Sequence, residues 1–183
     1  MKTVISTPTT PPAIATVGAA YSSQRIALHW VSAVIILWAM MTGFVVSLLP
    51  AGAESKAWVG WVNVSLTTLL IPLFVWRCII AYFAHGRRCG GKPTLASAAH
   101  LALYLATLVV LASGVLMMKR PIVVFDWFSF PPPLQATEAT AFFYRVHLWA
   151  CALQAALVAL HIAAVIKHAL VGQPVHKRMW FSR

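Results

Sequence analysis

Two histidines in one long apolar stretch are the residues of this sequence best suited to chemistry. His147 and His161 lie fourteen residues apart in the run from Phe143 to His168. On an α-helix, that spacing advances about 21 Å and returns to nearly the same face. An ionisable side chain inside a membrane helix is costly and is by default a functional residue, and imidazole is a common axial ligand of haem iron. The spacing predicts a helix that offers haem ligands at two depths of a membrane.

Four apolar segments of membrane-spanning length would position these histidines. The chain has 183 residues, of which 61% are hydrophobic and only 9% charged, a composition typical of membrane proteins. A transmembrane helix needs about 20 predominantly apolar residues. We therefore expect an all-α membrane protein whose domain covers residues 21–172. Its four transmembrane helices are predicted at about residues 25–49, 58–83, 95–118 and 143–167.

The charged residues predict the orientation of this bundle. The net charge of +11 comes from 14 Lys and Arg against three acidic residues. Because the positive residues flank apolar segments, they indicate topology and lipid headgroup contacts, and we expect no nucleic-acid partner. Most of them lie before the first span, after the second or after the fourth: Lys2, Arg25, Arg87, Arg88, Lys92, Lys167, Lys177, Arg178 and Arg183. The positive-inside rule then places both termini, a flexible tail of residues 1–20 and a basic tail of residues 173–183, in the cytoplasm.

This orientation gives each histidine a depth. The first and third spans run outward, so His29 and His100 lie near the cytoplasmic side, whereas on the fourth span His161 lies on that side and His147 lies toward the outer face. His29 and His161 can therefore supply both axial imidazoles of one b-type haem. His100 has no evident counterpart: it lines a quinone or haem-propionate site, or only bridges helices. Each of these histidines could instead merely hydrogen-bond a backbone carbonyl.

Five sequence segments, taken in order, resemble the bacterial cytochrome b561 family. They are RIALHW in the first span, VWRCIIAYF in the second, AAHLALYL and GVLMM in the third, and HLWACALQAALVALHIAAVIKH in the fourth. The resemblance extends from about Tyr21 to the C-terminus, and the cytochrome subunits of nickel hydrogenases and formate dehydrogenases share the same core. It implies a four-helix bundle that holds two b-type haems and passes electrons between an outer donor and quinone.

The resemblance also implies ligands for each haem. The inner haem would be held by His29 and His161, and the outer haem by His147 and a histidine at the start of the second span. That last position is Asn63, in WVNVSL, and Asn is a poor iron ligand. The outer haem would then be absent, held by a methionine, or five-coordinate through His147 and able to bind small molecules. The candidate methionines are Met40, Met41, Met117 and Met118.

Three functions are consistent with these features. The first is an electron-transfer protein of the bacterial cytoplasmic membrane, in contact with lipid, that passes single electrons between an outer donor and membrane quinone. The resembling family includes superoxide oxidases, so the protein would be an oxidoreductase of the superoxide:quinone type, in which Lys119, Arg120 and Arg145 either attract the anion or are only loop charges. The second is a membrane anchor and electron conduit for a separate redox partner protein. The third is a haem sensor that has lost one haem.

Overall fold

Four long helices make up most of the protein, which we describe from a computed structural model covering residues 22–50, 52–86 and 95–172. The helices are α1 (Ser23–Leu48), α2 (Glu54–Gly86), α3 (Leu95–Leu116) and α4 (Thr137–Leu170). All four are long and apolar enough to cross a membrane. The predicted fold, an all-α membrane protein with four transmembrane helices, is confirmed. The predicted tails and most of the basic loop between the second and third spans lie outside the described residues.

Two helices begin earlier than the apolar segments from which they were predicted. α2 starts at Glu54 and α4 at Thr137, whereas the apolar pattern begins at residues 58 and 143. Each early turn carries an acidic residue, Glu54 or Glu138, and negative charge stabilises a helix N-terminus. The helices therefore continue beyond their apolar lengths into the polar membrane interface.

The bundle is built from two helical pairs. α1 packs along α2, and α3 packs along α4, while the two pairs meet mainly where α2 touches α3. Leu70 and Phe74 of α2 and Leu111 of α3 form the buried core at that junction. Many large apolar side chains elsewhere are exposed, as expected where the surrounding solvent is lipid. The space between the two pairs is consequently the place where a cofactor can be enclosed.

The two ends of the bundle differ in structure. We call the end where α1 begins and α4 ends the terminal end. The opposite end, called the hairpin end, carries an antiparallel hairpin of β1 (Ile122–Val124) and β2 (Phe128–Phe130). The Trp127 amide donates to the Val124 carbonyl at 2.9 Å, and the two central residues of this turn, Phe125 and Asp126, both have positive φ, 47° and 59°, as a type I′ turn requires.

A buried serine of α2 fastens the hairpin to the bundle. The Ser65 hydroxyl donates to the Val123 carbonyl at 3.3 Å and accepts from the Phe125 amide at 3.1 Å. The Trp61 and Phe125 rings also meet edge to face at 5.4 Å. Because Ile122 and Val124 are only 4% and 2% exposed, β1 forms an apolar cover over this end of the space between the helical pairs.

Candidate haem-binding sites

Five polar side chains from all four helices gather at the terminal end, and we call them the terminal cluster. Arg77 of α2 approaches His29 of α1, with 3.1 Å between Nη2 and Nδ1. Its Nε donates to the Tyr104 hydroxyl of α3 at 3.0 Å, and its guanidinium lies 5.1 Å from the centre of that ring. The rings of His100 on α3 and His161 on α4 meet edge to face at 5.5 Å. The sequence prediction that His29, His100 and His161 share one depth agrees with this arrangement.

Arg77 gives the terminal cluster a positive charge without a protein counter-ion. It lies nine residues before the end of α2 at Gly86, about 14 Å into the helix. All three acidic residues of the chain, Glu54, Asp126 and Glu138, belong to the hairpin end. An arginine deep in a membrane helix costs about 2.5–3.5 kcal/mol on insertion scales. The terminal cluster is therefore suited to an anionic group, such as the carboxylates of haem propionates.

The Arg77 contact also fixes the tautomer of His29. A guanidinium only donates hydrogen bonds, so His29 Nδ1 accepts and the proton of the neutral ring lies on Nε2. A histidine that binds iron through Nε2 needs that nitrogen unprotonated. Iron ligation through Nε2 and the Arg77 contact at 3.1 Å therefore exclude each other, and binding a haem requires Arg77 to turn away from His29.

His147, at the hairpin end, has the opposite arrangement. Its Nδ1 lies 3.1 Å from the Val110 carbonyl oxygen and 3.2 Å from Ser113 Oγ. A carbonyl only accepts, and the Ser113 hydroxyl already donates to Val109 O at 2.6 Å, so Nδ1 carries the proton. Nε2 is left unprotonated, 3.5 Å from Cys151 Sγ. Histidines that bind metals usually donate their other ring nitrogen in this way.

A cavity between the two helical pairs, called the hairpin-end cavity, is lined by His147. Its volume is about 150 Å³, below the roughly 300–1,000 Å³ of typical small-molecule sites. A haem would enter only if the pairs moved apart. Opposite α4, the cavity is lined by Asn63, whose Oδ1 lies 3.5 Å from Thr42 Oγ1.

Some predicted and some unexpected side chains also line the hairpin-end cavity. Of the candidate methionines, Met40, Met117 and Met118 line it, whereas Met41 is 71% exposed. Gly114 also lines it, and a Cβ there would lie 3.2 Å from His147 Cε1. The glycine therefore gives the imidazole the room to lie against α3.

Gln154 lies midway along α4 between the two sites, seven residues from His147 and seven from His161. Its Nε2 donates to Thr107 Oγ1 at 2.9 Å. Its Oε1 is buried and has no hydrogen-bond partner among the described residues. An unsatisfied buried acceptor costs about 1–3 kcal/mol. Gln154 was not among the residues predicted from the sequence. A lone Gln or Arg in an apolar segment is nevertheless the signal from which such a residue can be found.

The residues present fit a b-type haem in their chemistry. Within the described part of the chain, no three His, Cys, Asp or Glu side chains are placed to hold a bare metal ion. Haem iron needs only one or two axial ligands from the protein, and imidazoles on helices of different pairs can supply them. Arg77 would offer its positive charge to the carboxylates that a haem carries.

A helical membrane bundle with imidazoles at two depths defines the class of membrane b-type cytochromes. A family model for prokaryotic cytochrome b561 matches residues 20–182. The chain belongs to the prokaryotic cytochrome b561 family and is thus a multi-pass membrane protein of haem b electron transfer. A comparison with curated proteins finds no match.

Proposed function

We propose that the protein passes single electrons from a donor at the hairpin end to membrane quinone at the terminal end. The observation that carries this proposal is the presence of imidazole sites at both ends of one helix, at His147 and His161, about 21 Å apart along α4. A bound haem supplies one-electron chemistry through its iron. The chain supplies the ligands, the spacing and the electrostatic surroundings of each site.

At the terminal end, the proposed ligands are His29 and His161. They belong to different helical pairs, so one haem between them joins the pairs. With a haem held there, Arg77 would leave His29 Nδ1 and its guanidinium would be available to the carboxylates that a haem carries. The Tyr104 hydroxyl, which already accepts from Arg77 Nε at 3.0 Å, keeps the arginine in the terminal cluster.

His100 is the proposed quinone-side residue. Its side chain is exposed near the start of α3, and its ring lies 5.5 Å from that of His161. Quinone becomes quinol by taking up two electrons and two protons. An exposed imidazole beside a proposed iron ligand would hand protons to the quinone oxygens.

The donor is proposed to reach the hairpin end from outside the cytoplasmic membrane, with the terminal end facing the cytoplasm. Support comes from the charges: the acidic residues all belong to the hairpin end, whereas the sequence before α1, between α2 and α3, and after α4 carries half of the basic residues. The hairpin end has four basic residues, Lys56, Lys119, Arg120 and Arg145, against three acidic ones. This small excess attracts an anion only weakly. Superoxide is one donor that the experiment below tests. In that reaction, two superoxide ions, one quinone and two protons would give two O₂ and one quinol.

The test uses purified full-length protein in detergent. Haem is quantified as the pyridine haemochrome, and quinone reduction is followed after adding superoxide or after reducing the protein chemically. His161→Ala should lose the low-spin haem signal and quinone reduction, whereas Leu160→Ala, at a side chain 68% exposed, should keep both. A low-spin spectrum that survives His161→Ala would refute the ligand assignment. Quinone reduction that requires an added protein, and never a chemical donor, would instead identify a conduit for a redox partner.

A further inference from the structure

The hairpin-end cavity offers one imidazole and no second one. Of the described residues that line it, His147 is the only histidine, and the wall contributed by α2 presents Asn63, Thr67 and Thr68. A site for a six-coordinate haem with two imidazoles would need a second histidine here. The α4 wall of this cavity therefore offers an imidazole ligand for iron, whereas the α2 wall does not.

We propose that a haem at the hairpin end is bound by His147 alone and keeps its second axial position open to a small uncharged ligand of the CO or NO class. This inference rests on the proposed function, which places a cofactor site at each end of α4. It goes beyond electron transfer because it assigns a ligand-binding site to one of the two ends.

The His147 side is already arranged for single ligation. Nδ1 is held by the Val110 carbonyl at 3.1 Å and by Ser113 Oγ at 3.2 Å, so Nε2, with Cys151 Sγ 3.5 Å away, is the unprotonated nitrogen that would bind iron. Gly114 leaves a gap that a Cβ would fill at 3.2 Å from the ring. These contacts hold the imidazole in one orientation before any cofactor binds.

The opposite side is polar but lacks a strong ligand. An amide oxygen binds iron poorly, and Asn63 Oδ1 already lies 3.5 Å from the Thr42 hydroxyl. An asparagine amide nitrogen carries two N–H donors. This amide is therefore available to donate a hydrogen bond to a ligand in the cavity. Gly43, also in the lining, adds space, because a Cβ there would meet nothing within 4 Å.

The cover over the cavity selects the kind of ligand. Ile122, 4% exposed, lines the cavity from the hairpin, and Ser65 holds that hairpin in place through two hydrogen bonds. Charged molecules lose their hydration on entering such an apolar enclosure, at a cost of several kcal/mol or more. Small uncharged molecules dissolve in the bilayer and can enter between the helical pairs.

The experiment is a CO titration of the dithionite-reduced, purified full-length protein. We expect two haems per chain by pyridine haemochrome and one CO bound per chain, with the other haem low-spin and unchanged by CO. Asn63→His should keep two haems and reduce the CO-binding signal at least tenfold, because the new imidazole occupies the open position. Asn63→Ala should keep CO binding but raise the C–O stretching frequency, because the amide donor is lost. His147→Ala should remove only the CO-binding haem.

Quinone reduction, measured on the same samples, separates this inference from the proposed function. Two low-spin haems that ignore CO would overturn the inference, and CO binding gained by Met40→Leu, Met117→Leu or Met118→Leu would then identify a methionine ligand. A single low-spin haem with intact quinone reduction would also overturn it, because the hairpin end would then hold no haem. If CO binding survived His147→Ala but disappeared in His161→Ala, the haem with the open axial position would lie at the terminal end, and the inference would be overturned. A preparation that binds no haem at all would refute both proposals.

Discussion

Replacing Gly114 by alanine tests whether the orientation of His147 controls haem binding at the hairpin end. The new Cβ would lie 3.2 Å from His147 Cε1 and 3.5 Å from its Nδ1, whereas carbon atoms pack best at about 3.5–4.0 Å. The ring must therefore retreat by about 0.3–0.8 Å. Such a shift can stretch the 3.1 Å bond from Nδ1 to Val110 O beyond useful hydrogen-bonding distance.

The expected effect follows from the loss of that bond. Disturbing the partner that orients a metal-binding histidine costs about 10–100-fold in affinity, and we expect the lower end, about tenfold or 1.4 kcal/mol. The assay titrates haem into haem-depleted protein and counts the sites filled. Gly60→Ala is the matched control, since it is the same change in a membrane helix and its Cβ would meet nothing within 4 Å. Equal haem affinity in the two variants would contradict the assigned role of His147.

Three further predictions concern polar side chains inside the bundle. Arg77→Gln should lower the midpoint potential of the low-spin haem in a redox titration, because a positive charge that favours the reduced form is lost, and Arg77→Lys should restore most of it. Ser65→Ala should lower the thermal unfolding midpoint in detergent, since it leaves the Phe125 amide without its partner at a cost of about 1–3 kcal/mol. The control Ser47→Ala removes only an exposed hydrogen bond within α1 and should leave the midpoint unchanged. Gln154→Leu should leave the thermal unfolding midpoint unchanged or raise it, because the Oε1 that lacks a hydrogen-bond partner is removed. A large fall in this midpoint would instead show that water or a cofactor satisfies the oxygen.

The fold and the depths of the histidines could be predicted because both depend on local properties of the chain. Long apolar runs specify membrane helices whatever their neighbours, and a fourteen-residue spacing fixes the relative positions of His147 and His161 on any α-helix. Placing His29 and His161 at one end required only the alternation of span direction. The family model agrees with this class of protein.

The contacts of these histidines could not be predicted, because they depend on how the helices rotate against one another. Periodicity did not indicate that Arg77 would meet His29, or that Val110 O and Ser113 would hold His147. The β-hairpin could not be predicted from the sequence either, because Phe125 and Asp126 at the centre of its turn are not the Asn-Gly or Asp-Gly pair that signals a type I′ turn.

The division of the bundle into two helical pairs makes haem supply a matter of assembly as well as of catalysis. The pairs meet at Leu70, Phe74 and Leu111, through the hydrogen bond from Arg77 to Tyr104, and through the hairpin that Ser65 holds. His29 belongs to one pair and His161 to the other, so the haem proposed at the terminal end would link the two pairs through its iron. A haem bound by His147 alone would be attached to only one pair. In a haem-starved cell the protein should therefore lack this link between the pairs and be more exposed to membrane proteases, so its abundance should follow haem synthesis.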